Sequence, residues 1–350
     1  MTASNTAPPE APAVIALALQ TRCRSVAPIA DPGEARAAIR ASLQRVAAQI
    51  AAARAFIGAD CRLVVLPEYF LTGFPMGDPA PAWIAKACLA PDGPEFEALG
   101  RIAQDGKFFL AGNAYETDPK FPGLFFQSAF VLSPSGETVL RYRRLTSMFA
   151  PTPHDVWDDY LAAYGLEGVF PVARTEIGNL AAIASEEILY PEIARCLAMR
   201  GAEIFLHGTS QANETARRVK GVMTIARAVE NMAYVVSANS AGIDGTALPA
   251  ASADGGSAVV DFRGTVLARS GPGETMTAFA EIDIGALRRF RRRPGMENLL
   301  ARQRFELFAE SYARARFYPA NTLKGRAPER ARFIETQLET IARLEQSGII

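Results

Sequence analysis

Apolar and polar positions along this chain fall into short runs with two different periods. "AVIALALQ" (13–20) and "CRLVVLPE" (61–68) are nearly continuous apolar runs of strand length, the pattern of strands buried on both faces. Between them, "EARAAIRASLQRVAAQIAAARAFI" repeats its apolar residues at helical spacing and predicts a long amphipathic helix. A helix over "FEALGRIAQDGK" follows, then strands over "FFLAGNAYE" and "SAFVLSPSGETVLRYRR", the last run broken by a Pro-Ser-Gly turn. "NLAAIASEEILYPEIAR" (179–195) reads as strand, sharp Ser-Glu-Glu turn and helix. Strand "AEIFLHGTS", a helix through "ETARRVKGVMTIARAVENM" and strand "AYVVSAN" come next. "GSAVVDFRGTVLARS" and "MTAFAEIDI" then predict antiparallel strands around an Arg-Gly turn.

Strands alternating with helices and flanked by hairpins predict an α/β fold in which helices cover sheets. The domain boundaries follow from composition. Residues 1–12, rich in Pro and Ala, predict a flexible arm and not a signal peptide. No linker interrupts residues 13–295, which predicts a single domain, and residues 296–350 predict a helical extension, with a subunit interface as one use for it. The Arg cluster of "RRFRRRPGMENLL" reads as a solvated helix face.

Charge removes several function classes. Lys+Arg and Asp+Glu each total 37, so no basic excess points to nucleic acid or an anionic membrane. No apolar run reaches the roughly 18 residues of a membrane span. The four cysteines have no CxxC spacing, and His154 and His207 are the only histidines, so neither zinc nor a disulfide framework is suggested; no metal or cofactor is among the expectations. The expectation is a cytoplasmic protein with a small-molecule substrate or ligand.

Candidate chemistry sits at strand ends. Glu68 follows the apolar run 61–66 and a proline, where a carboxylate can face a crevice and act as a general base; a surface loop glutamate is the plain alternative. Arg143 and Arg144 end "TVLRYRR"; a fixed cation there stabilises a developing oxyanion, although strand-end arginines are commonly ion-paired. Ser185 stands where strand–turn–helix geometry presents a nucleophile, but without G-x-S-x-G, and a helix cap is the alternative. His207 ends its strand on the same predicted rim, with a structural role as the alternative. His154 lies with Asp155 and Trp157 in a Pro-rich loop placed to line or cover a pocket.

Taken together, five ordered blocks between about residues 13 and 295 resemble the nitrilase superfamily of carbon–nitrogen hydrolases. They are "VVLPEYFLTGF", "QSAFVLSPSGETVLRYRRL", "IGNLAAIASEEILYPEIARCLAMRGAEIFL", "ARAVENMAYVVSAN" and "GGSAVVDFRGTVLA". The resemblance implies a four-layer α-β-β-α sandwich, a homodimer or higher homo-oligomer, and a Glu-Lys-Cys triad. Here the glutamate is Glu68, the lysine position holds Arg144, and the cysteine position, six residues before Pro191, holds Ser185. Glu187 takes the acidic position two residues after the nucleophile. A serine hydroxyl is a far weaker acid than a thiol and needs its proton removed as it attacks, and an arginine cannot shuttle protons.

Two functions compete at this point. One is an amidase-like hydrolase, acting on a small amide or nitrile, with Glu68, Arg144 and Ser185 as the catalytic group. Tyr69, Phe149, His154, Trp157, Glu187 and His207 then bind the substrate. The other is an inactive descendant that binds a small molecule or serves as a scaffold, with Arg144 and Glu68 paired across the site. Acyl transfer to an amine uses the same residues as hydrolysis.

Overall fold

A computed structural model describes residues 13–211 and 219–350. The expected arm over residues 1–12, and the first residues of the helix expected through 214–232, lie outside the described residues.

In chain order the first half contains β1 (Val14–Ala18), β2 (Cys23–Arg24), α1 (Pro32–Ile57), β3 (Cys61–Val65), α2 (Ala80–Ala87), α3 (Pro94–Gly106), β4 (Phe109–Thr117), β5 (Phe125–Leu132) and β6 (Thr138–Arg143). Then come α4 (Trp157–Tyr164), β7 (Ala173–Thr175), β8 (Gly178–Ala184), α5 (Pro191–Met199), β9 (Ile204–Thr209), α6 (Val219–Asn231) and β10 (Tyr234–Asn239). The chain continues through β11 (Ile243–Asp244), β12 (Ala258–Val260), β13 (Val266–Arg269), β14 (Phe279–Ile282), α7 (Ile284–Arg292), α8 (Glu306–Arg314) and α9 (Arg330–Gln346).

Twelve of these strands make two six-stranded sheets, ordered β14-β1-β3-β4-β5-β6 and β13-β12-β10-β9-β8-β7. Period-two alternation explains the stacking. Ala16, Ala18, Leu63, Val65 and Ala111 project from the first sheet into one cluster with Leu180, Ala182, Leu206 and Val236 of the second. The intervening Leu17, Val64 and Leu110 point the other way, against Ile39, Leu43, Val46 and Ile50 of α1. Both faces of the first sheet are therefore covered, which is why its strands read as unbroken apolar runs. Helices α5 and α6 cover the second sheet, and the result is the expected α-β-β-α sandwich. The start of α1 is fixed locally: Asp31 accepts from the Gly33 and Glu34 amides, with Pro32 in the first turn.

The expected hairpin at Arg263-Gly264 forms between β12 and β13. Strand β14, however, crosses to the first sheet and pairs antiparallel with β1, so the carboxy-terminal end of the sandwich ties the two sheets together. Among the described residues, no helix is long and apolar enough to cross a membrane.

Candidate active site

Parallel pairing decides which chain segments meet. β3 runs parallel to β4, and two antiparallel steps through β5 bring β6 into the same sense. Their carboxy-terminal ends share one rim, as do those of β8, β9 and β10 in the other sheet. Glu68 follows β3, Arg144 follows β6, and Ser185 follows β8. Crevices beyond strand carboxyl ends are where α/β folds place ligand sites.

Ser185 opens a short 3-10 helix, Ser185–Leu189, and has φ 50°, in the left-handed region that costs a non-glycine residue energy. The surroundings hold it there. Arg227 of α6 donates to Ile188 O (2.9 Å) and Leu189 O (3.0 Å), closing the turn from outside. Buried His207 lies beneath it: Nε2 donates to Ser185 O (2.8 Å), and Nδ1 accepts from Ser237 Oγ (2.8 Å). A carbonyl can only accept, so the Nε2–H tautomer is fixed, and burial lowers the imidazole to about 4, keeping it neutral. His207 is therefore committed to the backbone of the turn, not turned toward a substrate. The Ser185 hydroxyl hydrogen-bonds no other described residue.

Adjacent arginines at the end of β6 diverge by strand alternation. Arg143 enters a buried network, bonding Glu116 Oε1 from Nε (3.1 Å) and Nη2 (3.0 Å) and meeting Asp118 Oδ2 at 2.6 Å. Arg144 turns to the rim. Its Nε donates to Thr146 O (2.7 Å), Nη1 donates to Gln127 Oε1 (2.6 Å) and Glu68 Oε1 (3.2 Å), and Nη2 pairs with Glu186. Burial opposes this charge, but Glu68, Tyr69 and Glu186 outweigh it and hold the guanidinium pKa above its ordinary value. Gln127 also donates from Nε2 to Glu68 Oε1 (2.6 Å), so it bridges both partners. The other carboxylate oxygen, Glu68 Oε2, is buried and accepts no hydrogen bond within 3.5 Å from the described residues, although the Tyr69 hydroxyl lies beside the carboxylate.

Glu187 is fully buried and acts as a strut between two segments. Oε1 accepts from the Leu145 (2.6 Å) and Thr146 (3.0 Å) amides, and Oε2 accepts from Tyr142 Oη (2.7 Å) and the Ala184 amide (3.3 Å). Burial pushes its carboxyl up to about 7, against the pull of Arg144 and these donors. This carboxyl joins the Arg144 segment to the Ser185 turn; its bonds go to the chain itself.

A second cation lies at this rim. Lys220, in the first turn of α6, reaches Thr209 Oγ1 at 3.5 Å, and Thr209 O accepts the Glu68 amide at 3.4 Å. Among the described residues it forms no ion pair within salt-bridge range. Burial lowers its pKa, with Glu68 and Glu186 pulling the other way. Sequence reading missed both Gln127 and Lys220. Gln127 had a usable signal: with Ser128 it interrupts the otherwise apolar "LFFQSAF", and a buried amide needs partners.

A cleft of about 1180 Å³ opens beside this group, with Gln127, Arg144 and Glu186 among its lining residues; Glu68, Ser185 and Lys220 are not among them. Tyr69 and Phe149 line it as well; Tyr69 stacks on Tyr115 at 6.1 Å. His154 and Trp157 are not among its lining residues; their rings lie 6.0 Å apart, with Tyr318 at 6.3 Å from His154. Among the described residues, no group of three His, Cys, Asp or Glu is placed to hold a metal ion.

Known proteins match this chain along most of its length. A Pseudomonas protegens protein named as a hydrolase in the pqqF 5' region is 32% identical over 185 residues, 52% of this chain; the match spans 60% of that relative's length. A formamidase of Pseudomonas syringae pv. tomato is 30% identical over 270 residues, 77% of this chain and 73% of the relative. Among solved structures, a carbon–nitrogen hydrolase from Helicobacter pylori superposes with TM-score 0.62 at 21% identity, covering 86% of this chain and 99% of that one. Saccharomyces cerevisiae Nit3, of the nitrilase superfamily, gives 0.61 at 22% identity, covering 80% and 93%. The model of the carbon–nitrogen hydrolase family matches residues 30–292. By that match and by its fold, this chain belongs to the carbon–nitrogen hydrolase family.

Proposed function

We propose that this protein hydrolyses carboxamides through an acyl intermediate on Ser185. The observation that carries the reading is that two unsatisfied groups follow strands ending at one rim. Among the described residues, the Ser185 hydroxyl has no hydrogen-bond partner and one buried oxygen of the Glu68 carboxylate accepts no hydrogen bond. Leaving a buried carboxylate oxygen bare costs free energy, and such costs persist where the group has work to do. The amidohydrolase relatives named formamidase support the same bond type.

In this mechanism Glu68 Oε2 takes the hydroxyl proton as Ser185 Oγ bonds to the amide carbon. Arg144 supplies fixed positive charge beside the developing oxyanion, and its inability to deprotonate suits that role. The carbon–nitrogen bond breaks as the leaving nitrogen accepts a proton from the Lys220 ammonium, which the proton held by Glu68 then replaces, so ammonia departs and Glu68 is again a carboxylate. Water then attacks the ester carbon, giving its proton to Glu68. The carboxylic acid departs and Ser185 regains its proton. The left-handed turn keeps Oγ at the tip of β8 throughout, with His207 clamping its carbonyl from below.

Ammonia release from a panel of carboxamides tests this. Wild type is expected to release ammonia, and Ser185→Ala and Glu68→Gln to lose that release. Equal slow release by wild type and Ser185→Ala overturns the reading and favours the ligand-binding alternative.

A further inference from the structure

The cleft beside the candidate site is closed on one side by residues 326–330, which lie beyond the stretch that the family model matches. That segment is tied down at both ends. Before it, the Asn321 amide donates to His154 O (2.9 Å) and the Leu323 amide to Asp155 O (3.0 Å), while the Asp158 amide donates to Asn321 Oδ1 (3.0 Å). Leu323 and Phe333 pack with Phe121, Phe126, Val156 and Tyr160. At its far end, the Arg330 guanidinium lies 3.8 Å from the centre of the Phe149 ring. The loop around His154 and Trp157 is thus the dock for the carboxy-terminal extension.

Size and chemistry of the enclosed space both bear on the substrate. Pockets of about 300–1,000 Å³ accommodate drug-sized ligands; a cleft of about 1180 Å³ would leave a one-carbon amide surrounded mostly by water. Tyr69, Phe74, Tyr115, Phe125, Met148 and Phe149 give it an apolar and aromatic lining. The charged lining residues are three cations (Arg144, Arg326, Arg330) and three anions (Asp78, Glu186, Glu329), which selects for neither sign.

We propose that residues 326–330 are a specificity wall, and that the cleft takes amides with an extended aliphatic or aryl acyl group in preference to formamide. This rests on the reading of the cleft as the amide site. It assigns the carboxy-terminal extension a role within its own chain.

The test is equilibrium binding to full-length Ser185→Ala protein by calorimetry, with acetamide, butyramide, hexanamide and phenylacetamide, so that turnover is not needed. Affinity is expected to rise up to about fourfold per added methylene, the factor that burying one methylene yields. Adding Arg330→Ala or Pro328→Asp, each checked by circular dichroism melting, should flatten the series. Length-independent affinity, absence of binding by the longer amides, or an undiminished series in folded wall variants overturns the proposal. Wild-type turnover is scored separately. Its absence counts against the Ser185 mechanism, and the binding series still decides the wall.

Discussion

Replacing Glu187 by glutamine isolates the strut that joins the Arg144 segment to the Ser185 turn. The carboxyl is fully buried and pushed up to about 7 by that burial, from an ordinary 4.5. Its folded pKa is raised, so the folded state holds the proton more tightly than the unfolded chain. The stability from this proton is therefore present in full below the unfolded pKa and is lost as pH rises through about 7. A difference of about 2.5 units corresponds to roughly 3 kcal/mol. Glutamine has no charge to bury. It still turns an amide toward some of the four donors, a cost of about 1–3 kcal/mol that does not vary with pH. Urea unfolding of wild type and Glu187→Gln, taken between about pH 5 and about pH 8, measures the difference directly. The variant should gain on wild type by up to about 3 kcal/mol across that range. A constant difference would refute the reasoning: it would mean that the donors from Tyr142, Leu145, Thr146 and Ala184 keep the carboxylate ionised throughout.

Three further outcomes follow from the geometry. His207→Phe leaves the buried Ser185 carbonyl without its donor; an unfolding free energy lower by about 1–3 kcal/mol is expected, with a larger loss in kcat than in KM. Lys220→Met should slow amide turnover at least about tenfold while sparing a p-nitrophenyl ester, whose leaving group needs no proton; equal loss on both substrates would remove Lys220 from the proton path. Arg144→Lys gives up a planar fork that touches Gln127, Glu68, Thr146 and Glu186 together, and thermal melting should show a loss of about 1–3 kcal/mol.

Much of the fold was legible because its strands are buried on both faces. The apolar runs at 13–20 and 61–68 have no polar face to confuse with a helix, and α1 repeats its apolar residues strictly enough to stand out. The positions of Glu68, Arg144 and Ser185 were legible from the ends of such runs. What each neighbour does was not. Glu187 and His207 appear in sequence as polar residues near the Ser185 turn, yet both spend their bonding capacity on the chain itself. That follows from the register of β8 beside β9 and from the loop after β6, which no local pattern encodes. Gln127 acquires its role because β5 delivers it beside the end of β6, and Lys220 because α6 starts above β9. The His154 loop gave a pocket-like signal in its prolines and aromatic residues; its partners are Asn321, Thr322 and Leu323, far away in sequence.

The central claim is covalent, and intact-protein mass spectrometry addresses it most directly. Wild-type protein mixed with an activated ester or a reactive amide and quenched in acid should carry one acyl group, mapped by peptide fragmentation to Ser185 and missing from Ser185→Ala. An adduct mapped to another residue, or turnover with no acyl group on Ser185 and undiminished in Ser185→Ala, would contradict the account.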